Sequence, residues 1–190
     1  METLLIKFPE EALGLGAIAA MANVALFDLR VYHAVEHRET YAWLPATVDV
    51  AALQSMLSAK HPRASLIRLW LTTDVVGHSS GQTAPWFYMV ETDVRPDAEA
   101  EFDQWYGTEH LPGLATVPGT VRARRYVAQT GSPRHYACYD LTQREAFGSP
   151  AWLAVRATPW SDRVRPNFMN TKRTMFRLVQ DTKEAWSCPD

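Results

Sequence analysis

The residues best suited to proton chemistry in this sequence stand on one short segment, which contains Trp105, Tyr106, Glu109 and His110. Tyr106 and His110 are four residues apart and would share one face of a helix. A neutral imidazole accepts a proton near pH 7, since its free pKa is about 6.5, and a tyrosine hydroxyl can donate a hydrogen bond to a substrate oxygen. We therefore expect His110 to act as a general acid or base, with Tyr106 as a donor beside it.

The same segment also has a purely structural interpretation. His110 precedes the Leu111-Pro112 pair, which predicts a helix end, and there the helix dipole favours the charged imidazolium. At such an end the ring would bond a backbone carbonyl and only shape the exit of the chain. Trp105 and Tyr106 would then pack between a helix and a sheet, and Glu109 is expected to face solvent.

Two strands that follow this segment carry further candidates. On the first, Arg125 shares a face with apolar residues, so it needs an anionic partner. That partner is either a substrate carboxylate or enolate, or an internal acid such as Glu91, Asp93 or Asp140. On the second strand, Tyr139 and His135 share one face. We expect Tyr139 to donate a hydrogen bond to a substrate and His135 to line its site, although the nearby hairpin favours exposure of His135.

The first half of the chain offers a second wall for a ligand. Arg68 and Trp70 share one face of a predicted strand, and the other face carries Ile67, Leu69 and Leu71. If the apolar face meets helices, Arg68 and Trp70 point into the cavity of a barrel, where a cation and an indole suit a small molecule. Trp105 and Trp152, both on predicted helices, complete the expected substrate-binding residues.

Hydrophobic periodicity and turn residues predict the elements that position these side chains. The second half reads strand, helix, two strands, helix, strand, over Phe87–Val94, Pro96–Pro112, Val121–Ala128, Arg134–Leu141, a helix from Ser149-Pro150, and Thr174–Gln180 after a polar loop at Thr158–Thr171. The first half has the same order, over Thr3–Phe8, Glu10–Met21, Ala25–His33, Tyr41–Thr47, Asp49–Lys60 and Ser65–Thr73. Each half is thus a βαββαβ unit of the ferredoxin-like kind.

The motif residues of the second half resemble a known family. They are similar to the "WY…EHLP…VPG…ARRY" signature of the dimeric α/β-barrel superfamily, in particular of its EthD-like members, at Trp105-Tyr106, Glu109–Pro112, Val117–Gly119 and Ala123–Tyr126. The resemblance implies an α+β fold in which two ferredoxin-like βαββαβ units pack sheet to sheet as an α/β barrel, here a tandem form within one chain. It also implies that His110 lies at the cavity mouth and that the protein is a monomer or a homodimer. The alternative is an ordinary α+β domain with an unrelated N-terminal part.

This interpretation divides the chain at a Gly/Ser-rich segment that contains Gly77, Ser79, Ser80 and Gly81. The predicted organisation is an N-terminal ferredoxin-like half at 1–74, a linker at 75–85, an EthD-like half at 86–181 and a tail at 182–190.

Composition excludes several classes of function. The 190 residues carry a net charge of −2 without a basic run, so no nucleic-acid partner is expected. Apolar runs fall short of the ~18 residues of a membrane span, and the N-terminus lacks the basic region of a signal peptide. Cys138 and Cys188 form neither a disulfide framework nor a metal cluster, which favours reduced thiols and a cytoplasmic location. Phosphate-loop, nucleophile-elbow and zinc motifs are missing from the sequence, so we expect no cofactor and no metal.

These observations favour a cofactor-independent enzyme. We expect a lyase, isomerase or cyclase that uses general acid–base catalysis on a small apolar or aromatic substrate with a carbonyl or phenol group. One alternative is an oxygenase of the same fold, either cofactor-free or haem-dependent. Another is a non-catalytic protein that binds a small molecule, because a fold alone does not select a reaction.

Overall fold

The structure is a computed structural model that describes residues 1–180. The predicted tail at 182–190, with Cys188, lies outside the described residues. The first six elements are β1 (Glu2–Pro9), α1 (Leu15–Ala22), β2 (Arg30–Ala34), β3 (Glu39–Pro45), α2 (Val50–Lys60) and β4 (Ser65–Val76). The following ones are β5 (Trp86–Val94), α3 (Glu99–Trp105), α4 (Leu111–Ala115), β6 (Thr120–Ala128), β7 (His135–Leu141), α5 (Pro150–Arg156), α6 (Pro159–Val164) and β8 (Phe168–Leu178).

Backbone hydrogen bonds connect the eight strands as a closed barrel in the order β1-β3-β2-β8-β5-β7-β6-β4. The neighbouring strands whose registers are assigned run antiparallel. Strands and helices follow the order expected for a ferredoxin-like α+β fold, and this predicted fold class is confirmed. No helix within residues 1–180 is long and apolar enough to cross a membrane.

Internal contacts group the chain into two compact units. One consists of Met1–Trp70 with the segment that begins at Thr174, and the other is Leu71–Arg173. The predicted boundaries at 1–74, 75–85 and 86–181 stay a prediction, since contact density does not establish which segments fold independently.

The first unit is built on an apolar core between its strands and α1 and α2. Alternate residues of β1 enter this core, so Leu4, Ile6 and Phe8 are completely buried. Asp49 begins α2, since its carboxylate accepts a hydrogen bond of 3.0 Å from the Ala52 N–H. The predicted helix at Glu10–Met21 begins later, at Leu15.

In the second unit, the segment before β5 is fastened to the start of β6. Gly77 donates its N–H to the Val121 carbonyl (3.0 Å), and Ser79 donates its N–H to the Thr120 carbonyl (2.9 Å). The Ser79 hydroxyl accepts a hydrogen bond from the Gly119 N–H at 2.9 Å. A Cβ on Gly77 would lie 2.2 Å from the Thr120 carbonyl oxygen, so this close approach requires glycine.

The helix after β5 differs from its prediction, because Pro112 does not end it. A π-helical turn at Tyr106–His110 separates α3 from α4, and the helix continues to Ala115. The Leu111 N–H bonds the Tyr106 carbonyl, five residues earlier. Pro112 is tolerated because it lies in the first turn of α4, after the wider turn has already interrupted the regular bonding pattern.

The predicted polar loop at Thr158–Thr171 is also wrong, because it contains α6 and a 3₁₀ turn at Arg165–Asn167. The Thr158 hydroxyl accepts a hydrogen bond from the Ser161 N–H at 3.1 Å, and Pro159 occupies the first helical turn. This pair is a recognisable helix start. The loop was expected because the apolar positions after it are too few to show helical periodicity.

Candidate functional site

A cavity of about 30 Å³ lies within the second unit. This volume is room for about two water molecules. Its lining residues come from β5, β7, β8, α5 and the helical segment around the π turn, with one more from the 3₁₀ turn after α6; they are Tyr88, Val90, Trp105, Tyr106, His110, Leu114, Tyr139, Trp152, Arg156, Arg165, Phe168 and Arg173.

Five of the predicted site residues meet at this cavity: Trp105, Tyr106, His110, Tyr139 and Trp152. Their proposed roles in substrate binding and catalysis stay predictions. What the structure adds is their proximity, since the five residues come from the helical segment, from β7 and from α5. The other four predicted residues, which are Arg68, Trp70, Arg125 and His135, do not line it.

The π turn sets the positions of Tyr106 and His110. The His110 ring stacks on Trp105, with ring centroids 4.1 Å apart and an angle of 19° between the rings. Tyr106 meets His110 edge-on at 5.3 Å. Wider helical turns of this kind occur frequently at functional sites, because the extra residue redirects the side chains that follow. Pro112 is the only feature of the sequence near this turn that indicates an irregularity in the helix.

His110 is neutral at physiological pH. Burial, which is the largest cause, and the positive charges of Arg156 and Arg165 together lower the pKa of its imidazole to about 3. The sequence-based expectation of a dipole that favours the imidazolium is wrong, because the helix continues past His110 to Ala115. The ring therefore does not lie at the negative end of a helix.

Four buried polar atoms on the cavity residues have no hydrogen-bond partner among residues 1–180: Trp105 Nε1, His110 Nδ1, Tyr139 Oη and Trp152 Nε1. Buried polar groups are nearly always hydrogen-bonded, to protein or to ordered water. Each of the four atoms is itself covered, so a ligand or water molecules become its partner only if the lining side chains move.

The tyrosines of the cavity are hydrogen-bond donors. Tyr88 and Tyr139 are paired residues on β5 and β7, which places their side chains on one face of the sheet. Burial raises the pKa of the Tyr88, Tyr106 and Tyr139 hydroxyls above the usual value. All three stay protonated at neutral pH and can donate to an oxygen of a ligand.

Three arginines that sequence reasoning missed also line the cavity: Arg156 at the end of α5, Arg165 after α6, and Arg173 on β8. Arg165 Nη1 donates to the Arg156 carbonyl at 3.1 Å. Burial lowers the pKa of the Arg165 guanidinium, and the charges of Arg156 and Arg173 lower it further. The signal that could have found them was the Thr158-Pro159 helix start, which marks the segment as structured.

The sequence predicts that Glu109 faces solvent, but its carboxylate makes a hydrogen bond within the protein. Its Oε1 accepts a hydrogen bond of 2.6 Å from the Thr158 hydroxyl, which also caps α6. The bond joins the π turn to the connection between α5 and α6. Glu109 therefore positions the segment that carries Arg156 and Arg165.

Arg125 is a buried structural cation. It pairs with Asp103 and lies over the rings of Phe102 and Tyr106, at 4.8 and 5.0 Å from their centroids. Of the two alternatives for Arg125, the internal salt bridge describes its contacts. Its partner lies on α3, whereas the sequence suggested an acid on a strand, such as Glu91, Asp93 or Asp140. The proposed role of Arg125 in catalysis stays a prediction.

His135 is buried beside Arg125, and the expected exposure is wrong. Arg125 Nη2 lies 3.0 Å from His135 Nδ1, and the His135 ring packs against Phe102 with centroids 4.8 Å apart. Burial lowers the pKa of His135 to about 4, and the charge of Arg125 acts in the same direction. The hairpin does not expose this ring because α3 covers it.

Arg68 and Trp70 belong to the first unit and face solvent, which corrects the prediction that they point into a cavity. Arg68 pairs with Glu2 at 2.7 Å, and Trp70 is 46% exposed. Between them Leu69 is completely buried. Strand alternation was predicted correctly, but the buried face of β4 is the apolar one.

The described residues contain no group of three or more His, Cys, Asp and Glu side chains that could hold a metal ion. A haem does not fit the cavity either. The space holds about two waters, which is far less than a haem requires, and among the described residues His110 is the one histidine that lines it.

No protein-family model matches the sequence, and no curated protein matches it. Several solved structures share its fold. An anthrone oxidase-like protein aligns with a TM-score of 0.63 and 13% identity over 94% of this chain and 91% of that chain. A ferredoxin-fold protein of Listeria monocytogenes related to antibiotic biosynthesis monooxygenases aligns with a TM-score of 0.61 and 9% identity over 95% and 96%.

A haem-degrading enzyme of Listeria monocytogenes aligns with a TM-score of 0.59 and 9% identity over 93% of this chain and 99% of that chain. Identities this low establish the fold alone and do not establish a substrate or a mechanism. The chain therefore has the ferredoxin-like α/β-barrel fold found in proteins related to antibiotic biosynthesis monooxygenases.

Proposed function

We propose that this protein is a cofactor-independent enzyme that moves a proton on a small phenol or enolisable carbonyl compound. The observation that carries the proposal is the set of four unpartnered polar atoms around one cavity, one of them on a neutral histidine. The EthD-like resemblance supports the proposal at the level of fold, and membership of that family is itself a proposal.

In the proposed reaction, His110 accepts a proton from an O–H or an activated C–H of the substrate. The products of this step are an imidazolium and a substrate oxyanion, which the Tyr139 hydroxyl and the cavity arginines stabilise. Return of the proton to another atom completes an isomerisation, and loss of a leaving group from the anion completes an elimination.

The low pKa of His110 makes the free imidazole a weak base, and the reaction itself compensates for this. Burial is the largest cause of the low pKa, and the charges of Arg156 and Arg165 add to it. A negative charge that forms on the substrate beside these arginines offsets them, so the imidazolium becomes easier to form as the substrate loses its proton.

Substrate binding requires movement of side chains, because a cavity of about 30 Å³ does not admit an aromatic ring. Arg173 is exposed on β8 and makes no ion pair with the described residues. Rotation of this side chain is the simplest way to enlarge the cavity, since long exposed side chains change rotamer within nanoseconds.

A second candidate is a cofactor-free oxygenase, which the likeness to an anthrone oxidase-like protein favours. Its first step is the same deprotonation. The carbanion then reduces O₂, so that a CH₂ group becomes a carbonyl and the second oxygen atom leaves as water. Anthrone, an aromatic ketone with such a CH₂ group, is a suitable probe for this reaction.

The test begins with a thermal-shift screen of phenols and enolisable aromatic ketones, anthrone included. Compounds that raise the melting temperature are then incubated in D₂O without oxygen, and incorporation of deuterium is followed by NMR. We expect exchange with the wild-type protein and a loss of about 10²-fold or more in His110→Ala. His78→Ala is the matched control, since His78 is exposed and does not line the cavity.

The outcomes separate the candidates. Exchange without oxygen uptake supports the isomerase or lyase, and oxygen uptake in proportion to anthraquinone formed supports the oxygenase. Equal turnover by His110→Ala and wild type overturns the role of His110. Binding without any exchange or oxidation supports the non-catalytic alternative.

A further inference from the structure

We infer that the cavity binds the carboxylate, or another oxyanion group of similar size, of a small organic molecule, and that Arg156, Arg165 and Arg173 hold this group. The inference rests on the proposed function only in assigning the group to the substrate. Anion binding itself can be measured without turnover.

The first argument is the origin of the three cations. Arg156 is the last residue of α5, Arg165 follows α6, and Arg173 stands on β8. The fold brings them to one cavity, where Arg156 and Arg173 act electrostatically on Arg165. The bond from Arg165 to the Arg156 carbonyl fixes Arg165 at the end of α5. Such convergence of like charges costs free energy unless an anion offsets it.

The second argument is the contrast with other arginines of the same unit. Six of them make ion pairs within 4.0 Å, as Arg95–Asp97, Arg122–Asp74, Arg124–Asp140, Arg125–Asp103, Arg134–Glu99 and Arg163–Glu101. The three cavity arginines make none with residues 1–180. Asp162 opposes the other charges on Arg165 only at longer range. The counter-ion of the three arginines is therefore absent from the described protein.

The third argument is the chemistry of the cavity wall. Its guanidinium and indole groups, with the protonated tyrosine hydroxyls, are donors, and no acidic side chain from residues 1–180 lines it. The indole N–H groups of Trp105 and Trp152 and the Tyr139 hydroxyl have no hydrogen-bond partner in the part of the chain that the structure describes. A carboxylate accepts several hydrogen bonds at once, so it matches this wall, whereas an amine or a metal cation does not.

The size of the cavity agrees with this assignment. About 30 Å³ accommodates the two oxygens of a carboxylate in place of two waters. The remainder of the molecule would extend past the Arg173 side chain, along the aromatic surface of Tyr88, Trp152 and Phe168. We therefore expect an aromatic or otherwise apolar acid to bind better than acetate.

The test compares benzoate with benzamide, its neutral isostere, by isothermal titration calorimetry of the wild-type protein. We expect benzoate to bind more tightly by about tenfold or more, because hydrogen bonds to a charged group contribute more than neutral ones. Added chloride should weaken benzoate binding and leave benzamide unaffected. Equal affinity for the two compounds, or no binding of benzoate, overturns the inference without any mutation.

Variants then assign the site. Arg156→Gln and Arg173→Gln should each weaken benzoate binding by about tenfold. Arg163→Gln removes the same charge from α6 at a residue that does not line the cavity, so its affinity should equal that of wild type. Arg173 is exposed, so this variant remains informative if Arg156→Gln fails to fold. A loss in Arg163→Gln as large as in the other two overturns the assignment.

A second readout reports contact with the proposed catalytic residue. The ionisable groups around His110 are Tyr88, Tyr106, Tyr139, Arg156, Arg165 and Arg173. The tyrosines are neutral, so bound benzoate would offset the arginine charges and raise the pKa of His110, as followed by NMR. Benzoate binding with unchanged turnover in His110→Ala leaves this site intact and refutes the proposed function. Loss of turnover in His110→Ala without benzoate binding refutes this site alone.

Discussion

Tyr139 is the residue at which stability and function are expected to conflict. Its hydroxyl is buried and has no hydrogen-bond partner among the described residues, and such a group costs about 1–3 kcal/mol. We expect Tyr139→Phe to leave the free energy of unfolding unchanged or to raise it, while any turnover falls. Urea denaturation measures the first effect. A loss of stability of more than about 1 kcal/mol would mean that the hydroxyl has a partner in solution.

Ser79→Ala is the matched comparison for that experiment. The Ser79 hydroxyl accepts a hydrogen bond from the Gly119 N–H, so its removal leaves a buried donor unpaired. We expect this variant to lose about 1–3 kcal/mol of unfolding free energy. Both substitutions delete one buried hydroxyl, so the difference between them isolates the presence of a partner.

His110 should make the protein less stable in acid. Its pKa is about 3 in the folded protein and about 6.5 in the unfolded chain. Between these values the unfolded chain binds one more proton, so the free energy of unfolding falls as pH falls, by up to about 1.4 kcal/mol per pH unit. Above the pKa of about 6.5 in the unfolded chain, His110 no longer reduces the free energy of unfolding.

Urea denaturation between about pH 4 and about pH 6 checks this expectation. His110→Phe keeps an aromatic ring stacked on Trp105 and removes the titration, so the pH dependence of its stability should be weaker than that of wild type. A residual slope is expected, because burial lowers the pKa of His135 to about 4 as well. An unchanged slope in His110→Phe would contradict the low pKa of His110.

At the scale of elements, the approach of the segment before β5 to β6 depends on Gly77. A Cβ there would lie 2.2 Å from the Thr120 carbonyl oxygen, and a backbone atom cannot move aside. We expect Gly77→Ala to lower the free energy of unfolding by about 2–3 kcal/mol, as measured by urea denaturation.

Gly107, in the π turn, is the control for that substitution. A Cβ on Gly107 would meet no atom within 4 Å. Alanine there reduces the entropy of the unfolded chain and favours a helical backbone, so we expect Gly107→Ala to raise stability by up to about 1 kcal/mol. Losses of equal size in the two variants would contradict the clash at Gly77.

For the whole molecule, closure of the barrel bears on assembly. The eight strands form a closed cycle of hydrogen bonds, and a closed barrel has no free strand edge at which a second chain could add. Between the predicted monomer and homodimer we therefore expect the monomer. Light scattering should give a mass near 21.5 kDa, and about twice that mass at micromolar concentration would contradict it.

The order of elements and the position of the central motif follow from local sequence. Alternation of apolar residues in β1 and the Asp49 cap of α2 act between near neighbours in the chain. Tyr106 and His110 were expected to lie together because residues four apart share one face of an α-helix, and they still meet edge-on across the π turn. The βαββαβ order follows from the same local patterns, whereas the packing of two such units as an α/β barrel was implied by the resemblance to the dimeric α/β-barrel superfamily.

Only the tertiary structure determines which arginines of the second unit form ion pairs with acidic residues and which do not. Arg125 was expected to hold a substrate anion or to form an internal salt bridge, and it pairs with Asp103. Arg156, Arg165 and Arg173, which were not among the predicted site residues, line the cavity. Each of these outcomes depends on contacts between segments far apart in sequence, and local periodicity carries no information about them. The sequence by itself thus determined the order of helices and strands and identified His110 as the candidate for proton transfer. Only the tertiary structure placed Arg156, Arg165 and Arg173 at the same cavity as His110.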